Sequence, residues 1–392
     1  MATRDSVMTN TDVLESCLVD LVPEKQFLFF APVCRSWRAA WGQRPTLTSC
    51  PTPDTSLSQL RCGFECGLPR ASLAMCDALA RDGKLEELQY ARQKGCPWDE
   101  MACSWAAGGG HLMVLEWLRE NGCPWDTSTC SGAARGGHLD VLRWARENGC
   151  PWCARRCYYA ALGGYLGVLQ WARANGCPWD ASVCAAAARG GHLHMLQWAR
   201  QNGCPWDESV CVAAAVRGYL YVLQWARQNG CPWNAFTCTY AAKGGHLNVL
   251  QWAREHGCPW NSKTSAMAAA GGHLRVLQWA RQNGCPWDSE TCARAAYSGD
   301  LPLLQWARNA GCPRNERSCT IAAGRGHLAV LQWASQDGCP WDAPTCAAAA
   351  SGGHLAALKW ARQNGCPWSR ADCLQSARES GQSSVAAWIE EN

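Results

Sequence analysis

Apolar and small side chains recur at helical spacing within a short unit that extends from Asp126 to Trp152. Cys130, Ala133 and Ala134 stand at positions i, i+3 and i+4, which lie on one face of an α-helix. This stripe predicts a first helix over residues from about Thr127 to Arg135. Because its buried side chains are all small, we expect this helix to approach its neighbours closely.

A second helix is predicted over residues from about Leu139 to Asn148, where the apolar pattern is wider. Its apolar positions are Leu139, Val141, Leu142, Trp144 and Ala145. They cover too much of the helix for one buried face, so neighbours must pack on both flanks. Gly149 can adopt the left-handed backbone that ends a helix, and Pro151 prevents the helix from continuing.

The unit repeats every 27 residues and is marked by the tetrapeptide Gly-Cys-Pro-Trp, in which Arg314 is the one replacement for tryptophan. The tetrapeptide begins at Gly95, Gly122, Gly149, Gly176, Gly203, Gly230, Gly257, Gly284, Gly311, Gly338 and Gly365. A fixed period of this length is typical of a solenoid, in which one supersecondary unit stacks on copies of itself. The sequence therefore predicts an all-α, elongated array of about twelve units.

The residue that follows each tryptophan position predicts where the first helix begins. Most occupants have a side-chain oxygen that can accept a hydrogen bond from the first helical turn. The occupants are Asp99, Asp126, Cys153, Asp180, Asp207, Asn234, Asn261, Asp288, Asn315, Asp342 and Ser369. We therefore expect a helix N-cap at this position in nearly every unit.

The stretch from Ala133 to Leu142, together with Asn148 to Trp152, resembles the helix-turn-helix of ankyrin repeats, and the match extends over about four-fifths of the chain. Ankyrin units ordinarily have about 33 residues. The shortfall of about six falls after the tryptophan, where the family builds a projecting hairpin finger. The resemblance thus implies an ankyrin-like solenoid with shortened loops, and such arrays serve as protein-binding scaffolds.

Three regions are predicted along the chain: a helical segment over 1–43, a linker over 44–70 and the repeat array over 71–392. The linker is rich in Pro, Ser and Thr. No apolar run approaches the roughly 18 residues needed to span a bilayer, and the N-terminus lacks the apolar segment of a signal peptide. We therefore expect a monomer in the cytoplasm, with the nucleus as an alternative, and not a secreted or membrane protein.

The repeated cysteine and histidine positions raise the question of chemistry. Cysteine pairs such as Cys96 and Cys103 are seven residues apart, and Ser265 breaks the pattern once, so we interpret them as buried, reduced thiols rather than as disulfides or metal ligands. Tyr165 replaces histidine in the turn between helices, which favours a structural role in which the ring bonds backbone at the helix start. The sequence therefore predicts a protein that is not an enzyme and that binds neither a cofactor nor a metal ion.

An arginine recurs near the end of the second helix in ten units and is replaced by Ser335 in one. It can form a nucleic-acid-binding stripe. The alternative is a structural role, because an arginine there complements the helix dipole and can reach a capping Asp or a Glu such as Glu147. The net charge of +4 is small and favours the structural role.

Positions that vary between units are the candidates for recognition, since aromatic and arginine side chains supply much of the energy of interfaces. The candidate protein-binding residues are Trp105, Met113, Arg155, Arg156, Tyr158, Tyr159, His194, Tyr221, Phe236 and Tyr240. Ordinary surface variation is the alternative. The favoured function is a non-catalytic protein–protein interaction scaffold whose partner contacts the first half of the array.

The N-terminal segment suggests a second function. Val33-Cys34-Arg35-Ser36-Trp37-Arg38 is similar to the closing helix of F-box domains, which bind a Skp-type adaptor of cullin-type ubiquitin ligases. The candidate adaptor-docking residues are Leu14, Leu18, Phe27, Phe30, Val33 and Trp37. The resemblance implies a ubiquitin-ligase substrate receptor, and a helical cap on the solenoid is the alternative for this segment.

Overall fold

The structure, a computed structural model, describes residues 56–65, 73–151, 155–315 and 317–392. Every regular element in these ranges is an α-helix. The predicted F-box-like segment and most of the predicted linker lie outside the described residues. The described chain divides into two compact units, which meet in sequence between Trp179 and Asp180.

In its described residues, the first unit contains one leading helix and four helix pairs. Its helices are α1 (Leu57–Glu65), α2 (Leu73–Arg81), α3 (Leu85–Gln93), α4 (Glu100–Gly109), α5 (Leu112–Glu120), α6 (Thr127–Gly136), α7 (Leu139–Glu147), α8 (Arg155–Gly163) and α9 (Leu166–Ala174). In each pair, from α2–α3 to α8–α9, the first helix packs on the second.

The second unit contains eight helix pairs. Its first four pairs are α10 (Ala181–Gly190), α11 (Leu193–Gln201), α12 (Glu208–Arg217), α13 (Leu220–Gln228), α14 (Ala235–Lys243), α15 (Leu247–Glu255), α16 (Ser262–Ala270) and α17 (Leu274–Gln282). The remaining pairs are α18 (Ser289–Ser298), α19 (Leu301–Asn309), α20 (Ser318–Gly324), α21 (Leu328–Gln336), α22 (Ala343–Ser351), α23 (Leu355–Gln363), α24 (Arg370–Glu379) and α25 (Ser383–Glu391). With the four pairs of the first unit this makes twelve, so the predicted all-helical, ankyrin-like array of about twelve short repeats is confirmed.

The predicted N-caps are present at the starts of the first helices. Asp126 has extended backbone, and its carboxylate accepts a hydrogen bond of 2.8 Å from the Ser128 amide. Equivalent bonds are accepted by Asp99, Asp180, Asp207, Asn234, Asn261 and Asp288. The helix also ends as predicted, because Gly137 has a left-handed φ of +82° that a side chain would strain.

The core is a column of small side chains on the first helices beside a column of larger ones on the second. In the pair α6–α7, Cys130, Ala133 and Ala134 are fully buried together with Val141 and Leu142. The small column allows first helices of adjacent repeats to pack closely, whereas the second helices contact one another much less.

The packing of α4 against α6 shows how close this approach is. A Cβ atom added at Gly132 would lie 2.5 Å from the carbonyl oxygen of Ser104. The Ser104 hydroxyl also donates a hydrogen bond of 3.1 Å to the Ser128 carbonyl on the facing helix. None of the helices in the described ranges is both long and apolar enough to cross a membrane.

Candidate protein-binding surface

The arginine column is held against tryptophan. The guanidinium of Arg254 lies over the Trp260 ring at 4.1 Å from its centroid and donates a hydrogen bond to the Cys258 carbonyl. Arg92, Arg119, Arg173, Arg200, Arg227, Arg281 and Arg362 stack on the tryptophan six residues later in the same way. The sequence predicted instead that these arginines reach an Asp cap or a Glu, and that contact is not the one observed.

Most of these stacked tryptophans also pack on the tryptophan of the next second helix. The rings of Trp260 and Trp279 have centroids 5.9 Å apart and meet edge to face, the geometry that aromatic quadrupoles favour. The same contact joins Trp98 to Trp117, Trp125 to Trp144, Trp206 to Trp225, Trp233 to Trp252 and Trp287 to Trp306. We call these arginines and tryptophans the Arg–Trp edge. The Arg–Trp edge joins successive repeats. It also holds the arginine side chains that a nucleic-acid-binding stripe would need for contacts with phosphates.

Arg314 interrupts this edge. Its Nε lies 3.5 Å from Oδ2 of Asp337, which also accepts a hydrogen bond of 2.9 Å from Arg308. A pair of arginines on one carboxylate therefore replaces the stacked tryptophan at this junction. Cys339, next to this junction, is 8% exposed, whereas the equivalent Cys258 is fully buried.

The histidines in the turns connect repeats. Nε2 of His273 lies 3.1 Å from the Lys243 carbonyl, and because a carbonyl only accepts, this nitrogen carries the proton. The ring also covers Gly245, where an added Cβ would lie 2.7 Å from it. The structural role predicted for this column is therefore correct, but the bonded backbone is the end of the preceding first helix and not the start of the following one.

The cysteines form buried contacts between first helices and tetrapeptides. The cysteines whose side chains the structure describes are buried thiols. The loop thiol of Cys123 donates to the Asp99 carbonyl at 3.3 Å, and Cys123 also faces Cys103, twenty residues earlier in the chain. The hydrogen bond with Cys123 and burial both raise the pKa of the Cys103 thiol, which stays protonated and unreactive. No group of three or more potential metal ligands occurs within the described ranges.

Outside this framework, exposed apolar side chains concentrate on one side of the first helices. Counted from the capping residue, positions two, six and nine lie on the same side of a helix. We call these positions the first-helix face. Among the residues that the structure describes, nine large apolar side chains are exposed, and five of them lie on this face: Met101, Trp105, Phe236, Tyr240 and Tyr297.

In the first unit, the first-helix face carries Met101 and Trp105 on α4. The Trp105 side chain is 40% exposed, which is more than any tryptophan of the Arg–Trp edge. On α6 and α8, the Arg135 guanidinium lies 4.3 Å from the centroid of Tyr159, which also contacts the Tyr158 ring at 5.5 Å. The helix that carries Arg155 and Arg156 is described, but their side chains lie outside the described part.

In the second unit, the first-helix face carries Phe236 and Tyr240, one turn apart on α14. Phe236 is 52% exposed, and the two ring centroids are 6.3 Å apart. A cavity of about 290 Å³ opens beside them, and its lining includes Asp207, Glu208 and Val212 of the preceding repeat. The face therefore has a concave, partly aromatic site as well as exposed rings.

Three of the predicted residues lie elsewhere. Met113, His194 and Tyr221 each occupy the second position of a second helix, and Met113 is 71% exposed. The Tyr221 hydroxyl donates a hydrogen bond of 2.7 Å to the Gly191 carbonyl. Tyr221 therefore links two repeats, as the histidines do. The sequence-predicted residues thus divide between the first-helix face and the second helices.

The sequence interpretation missed Met101 and Tyr297, which belong to the first-helix face. The signal was present, because Met101 stands two residues after the Asp99 cap and Tyr297 nine residues after the Asp288 cap. Tyr297 is also covered on one side, where the Arg325 guanidinium lies 4.0 Å from its ring centroid. Numbering every unit from its cap would have identified both.

Comparison with known proteins gives weak similarities. No family model matches the chain, and no curated protein matches it. Among solved structures, the human ASB11 ankyrin repeat domain is similar at 17% identity and a TM-score of 0.34, over 40% of this chain and 84% of that one. The pentatricopeptide repeat protein PPR10, solved with an 18-nt psaJ RNA element, is similar at 15% identity and a TM-score of 0.38, over 98% of this chain and 66% of that one.

Proposed function

We propose that the chain is a protein-binding scaffold that captures its partner on the first-helix face. The observation that carries this proposal is the division of aromatic side chains between two environments. On the Arg–Trp edge they are half buried and held by their neighbours, whereas Trp105 and Phe236 project from first helices without such cover. Exposed aromatic residues in a repeat array with a regular core mark a recognition surface.

The energetics favour a few contacts of this kind. Burial of an exposed aromatic ring in an interface contributes about 1 to 3 kcal/mol, and such residues commonly dominate binding. Trp105, Phe236 and Tyr240 are already held on helices, so they lose little conformational freedom when a partner covers them. The arginines Arg135 and Arg325 stack on neighbouring tyrosines, which supplies charged groups next to the rings.

A protein partner fits this surface better than a nucleic acid. Nucleic-acid binding needs lysines or arginines that can reach phosphates. The repeated arginines stack on tryptophans and donate to carbonyl oxygens instead, as Arg200 does with Trp206 and Cys204. The cavity beside Phe236 and Tyr240 also has carboxylates in its lining, which repel phosphate.

The buried thiols bear on where the scaffold works. Because cysteines occupy the core of nearly every repeat as thiols, we place the chain in a reducing compartment, the cytoplasm or the nucleus. We also propose that it acts as a monomer, with the repeat array over 71–392 as its binding domain.

Quantitative affinity capture tests the protein-binding function. The tagged full chain is compared with Trp105→Ala combined with Phe236→Ser, and with the control Met113→Ala combined with His194→Ala on the second helices. We expect at least one stoichiometric protein partner that the first variant loses by tenfold or more and the control retains. Capture that nuclease treatment abolishes, or that the control variant loses instead, would contradict the proposal.

A second function, substrate receptor of a cullin-type ubiquitin ligase, is favoured by the Val33 to Arg38 motif of the predicted F-box-like segment. Its candidate docking residues, Leu14 to Trp37, lie outside the described residues. We expect the full chain to bind a purified Skp-type adaptor and to lose it on Val33→Asp or Trp37→Ala. Equal adaptor binding by these variants, or none by the native chain, would leave the segment with a capping role only.

A further inference from the structure

The cavity between α12 and α14 combines two kinds of chemistry. On one side lie Phe236 and Tyr240, whose rings are 52% and 37% exposed. On the other side lie the exposed residues Asp207 and Glu208, together with Val212. We call this site the α12–α14 groove. Exposed aromatic rings and carboxylates therefore line the same cavity at this point of the second unit.

The charge of this groove is negative despite the helix terminus beside it. The N-terminus of α12 carries about half a positive charge on its unpaired amides. One oxygen of Asp207 compensates it by accepting bonds from the Ser209 amide at 2.9 Å and from the Ser209 hydroxyl. Glu208 adds a second full negative charge, so the net charge beside the rings is about −1.5.

The neighbouring repeats limit where a cation can bind. Lys263 stands on α16 at the same position as Phe236 on α14, one repeat further along the array. Adjacent packed helices lie about 9 to 10 Å apart, so this ammonium group repels a second cation placed beyond Phe236. On the other side, the equivalent residue of α10 is Ser182, which carries no charge. A basic group is therefore favoured over α12 and disfavoured over α16.

We propose that the α12–α14 groove binds a segment of the partner protein in which an arginine or lysine stands beside an apolar side chain. The cationic group contacts Glu208 and the faces of Phe236 and Tyr240, and the apolar side chain covers Val212. Cations bind the negative faces of aromatic rings, and an adjacent carboxylate adds an ion pair at the same point. This inference rests on the proposed protein-binding function and adds the chemistry of the partner.

A peptide library tests the proposal on the full chain. A phage-displayed library of random dodecapeptides is selected against the immobilised native protein, and the most enriched sequence is synthesised for fluorescence anisotropy. We expect the selected pool to be enriched in a basic residue next to an apolar one. Phe236→Ser combined with Tyr240→Ala should weaken the synthetic peptide tenfold or more, since both rings are removed.

Charge reversal supplies the second arm. Glu208→Lys should weaken the same peptide about tenfold, less so at high salt, and should shift a new selection towards acidic residues. Glu255→Lys is the matched control, because it changes net charge equally at an exposed position on a second helix. Thermal unfolding followed by circular dichroism checks that every variant folds. If Phe236→Ser combined with Tyr240→Ala does not fold, Glu208→Lys still tests the groove.

Three results would contradict the proposed binding at the α12–α14 groove. They are a selected peptide that binds all groove variants equally, a pool enriched in acidic residues, and the absence of any enriched peptide. A peptide that loses affinity on Trp105→Ala but not on the groove variants would remove the groove while the protein-binding function stands. Failure of that function is detected separately, by the absence of a protein partner in affinity capture.

Discussion

The Arg–Trp edge and the first-helix face use the same residue types for different purposes. Trp260 on the edge is half buried, contacts Trp279 edge to face and carries the Arg254 guanidinium on its ring. Trp105 on the face is 40% exposed. We therefore propose that the environment decides the role. An aromatic residue that recurs in most repeats and is held by its neighbours stabilises the array, whereas one that appears in few repeats and is exposed is available for recognition.

The loss of the tryptophan at Arg314 strengthens this distinction. At Arg314 the chain keeps a cation between repeats but exchanges the indole for an ion pair with Asp337, which Arg308 also contacts. The Arg314 side chain is 53% exposed, and an ion pair at such a position contributes up to about 1 kcal/mol, less than a packed aromatic contact with its buried area. We therefore expect this junction to be the weakest part of the edge in the second unit.

The largest expected effect is on a buried leucine of the framework. Leu250 on α15 is fully buried, so Leu250→Ala should lower the free energy of unfolding by about 3 kcal/mol or more. Phe236→Ala, on the first-helix face of the same repeat, should change it by less than about 0.5 kcal/mol. Urea unfolding followed by circular dichroism measures both. Equal losses for the two variants would mean that the face belongs to the core.

A smaller effect is expected at the glycines of the turns, and two of them form a matched pair. Gly245 has φ +76° and an added Cβ would lie 2.7 Å from the His273 ring, whereas Gly257 has φ +80° with nothing within 4 Å. Gly257→Ala should cost about 1 kcal/mol from backbone strain alone. Gly245→Ala should cost about twice that, because the ring must also move.

The histidine contact can be isolated by a second substitution in the same repeat. Adding His273→Ala to Gly245→Ala removes the ring that the new Cβ would touch. The combined variant should then be destabilised by less than the sum of the two single variants, which a double-mutant cycle on thermal unfolding measures. Strict additivity would show that the ring does not cover Gly245 in solution.

Restoring the edge at Arg314 should stabilise the protein. Arg314→Trp places an indole near Trp333 and Arg308, and we expect a gain of about 0.5 to 1.5 kcal/mol after loss of the Asp337 contact. Hydrogen exchange of residues 311–339 should slow accordingly. Arg317→Trp, an exposed position in the same repeat, is the control and should give no gain. A destabilised Arg314→Trp variant would show that the ion pair is the better contact here.

The smallest structural difference, the exposure of Cys339, predicts a difference in thiol reactivity. The hydrogen bond with the Cys319 thiol lowers the pKa of Cys339 to about 7, whereas burial raises the pKa of Cys76 to about 12. Under native conditions, iodoacetamide should label Cys339 before the other described cysteines, at a rate that rises with pH and reaches half its maximum at about pH 7, where half of the thiol is ionised. Peptide mass spectrometry measures this. Arg314→Trp should slow the labelling, and uniform labelling of all cysteines would contradict the structure at this junction.

Local features of the fold were predictable from the sequence, because each repeat encodes its own helix ends. The cap at Asp126, the turn at Gly149 and the small stripe around Cys130 all follow from residues close in the chain. Contacts between repeats were not predictable in this way. The bond from His273 to Lys243 spans thirty residues, and the stacking of Arg254 on Trp260 depends on the path of the turn between them.

The candidate surface was predictable in part for the same reason. Trp105, Phe236 and Tyr240 stand out as variable aromatic residues in any alignment of the units. That they occupy the same set of helix positions as Tyr297 appears only when positions are counted from the cap of each helix. Tyr221 shows the opposite case, a variable exposed aromatic residue that links two repeats. Its hydroxyl donates a hydrogen bond to the Gly191 carbonyl, and no sequence pattern distinguishes such a structural residue from a recognition residue.

One paired measurement tests the separation of framework and recognition most directly. Affinity for the captured partner and the melting temperature are measured for Trp105→Ala combined with Phe236→Ser, and for Arg254→Gln combined with Trp260→Ala. We predict that the first variant binds at least tenfold more weakly at an unchanged melting temperature. The second should melt several degrees lower yet bind normally while folded. The reverse result, in which the edge variant loses binding and the face variant loses stability, would contradict the assignment of the two surfaces.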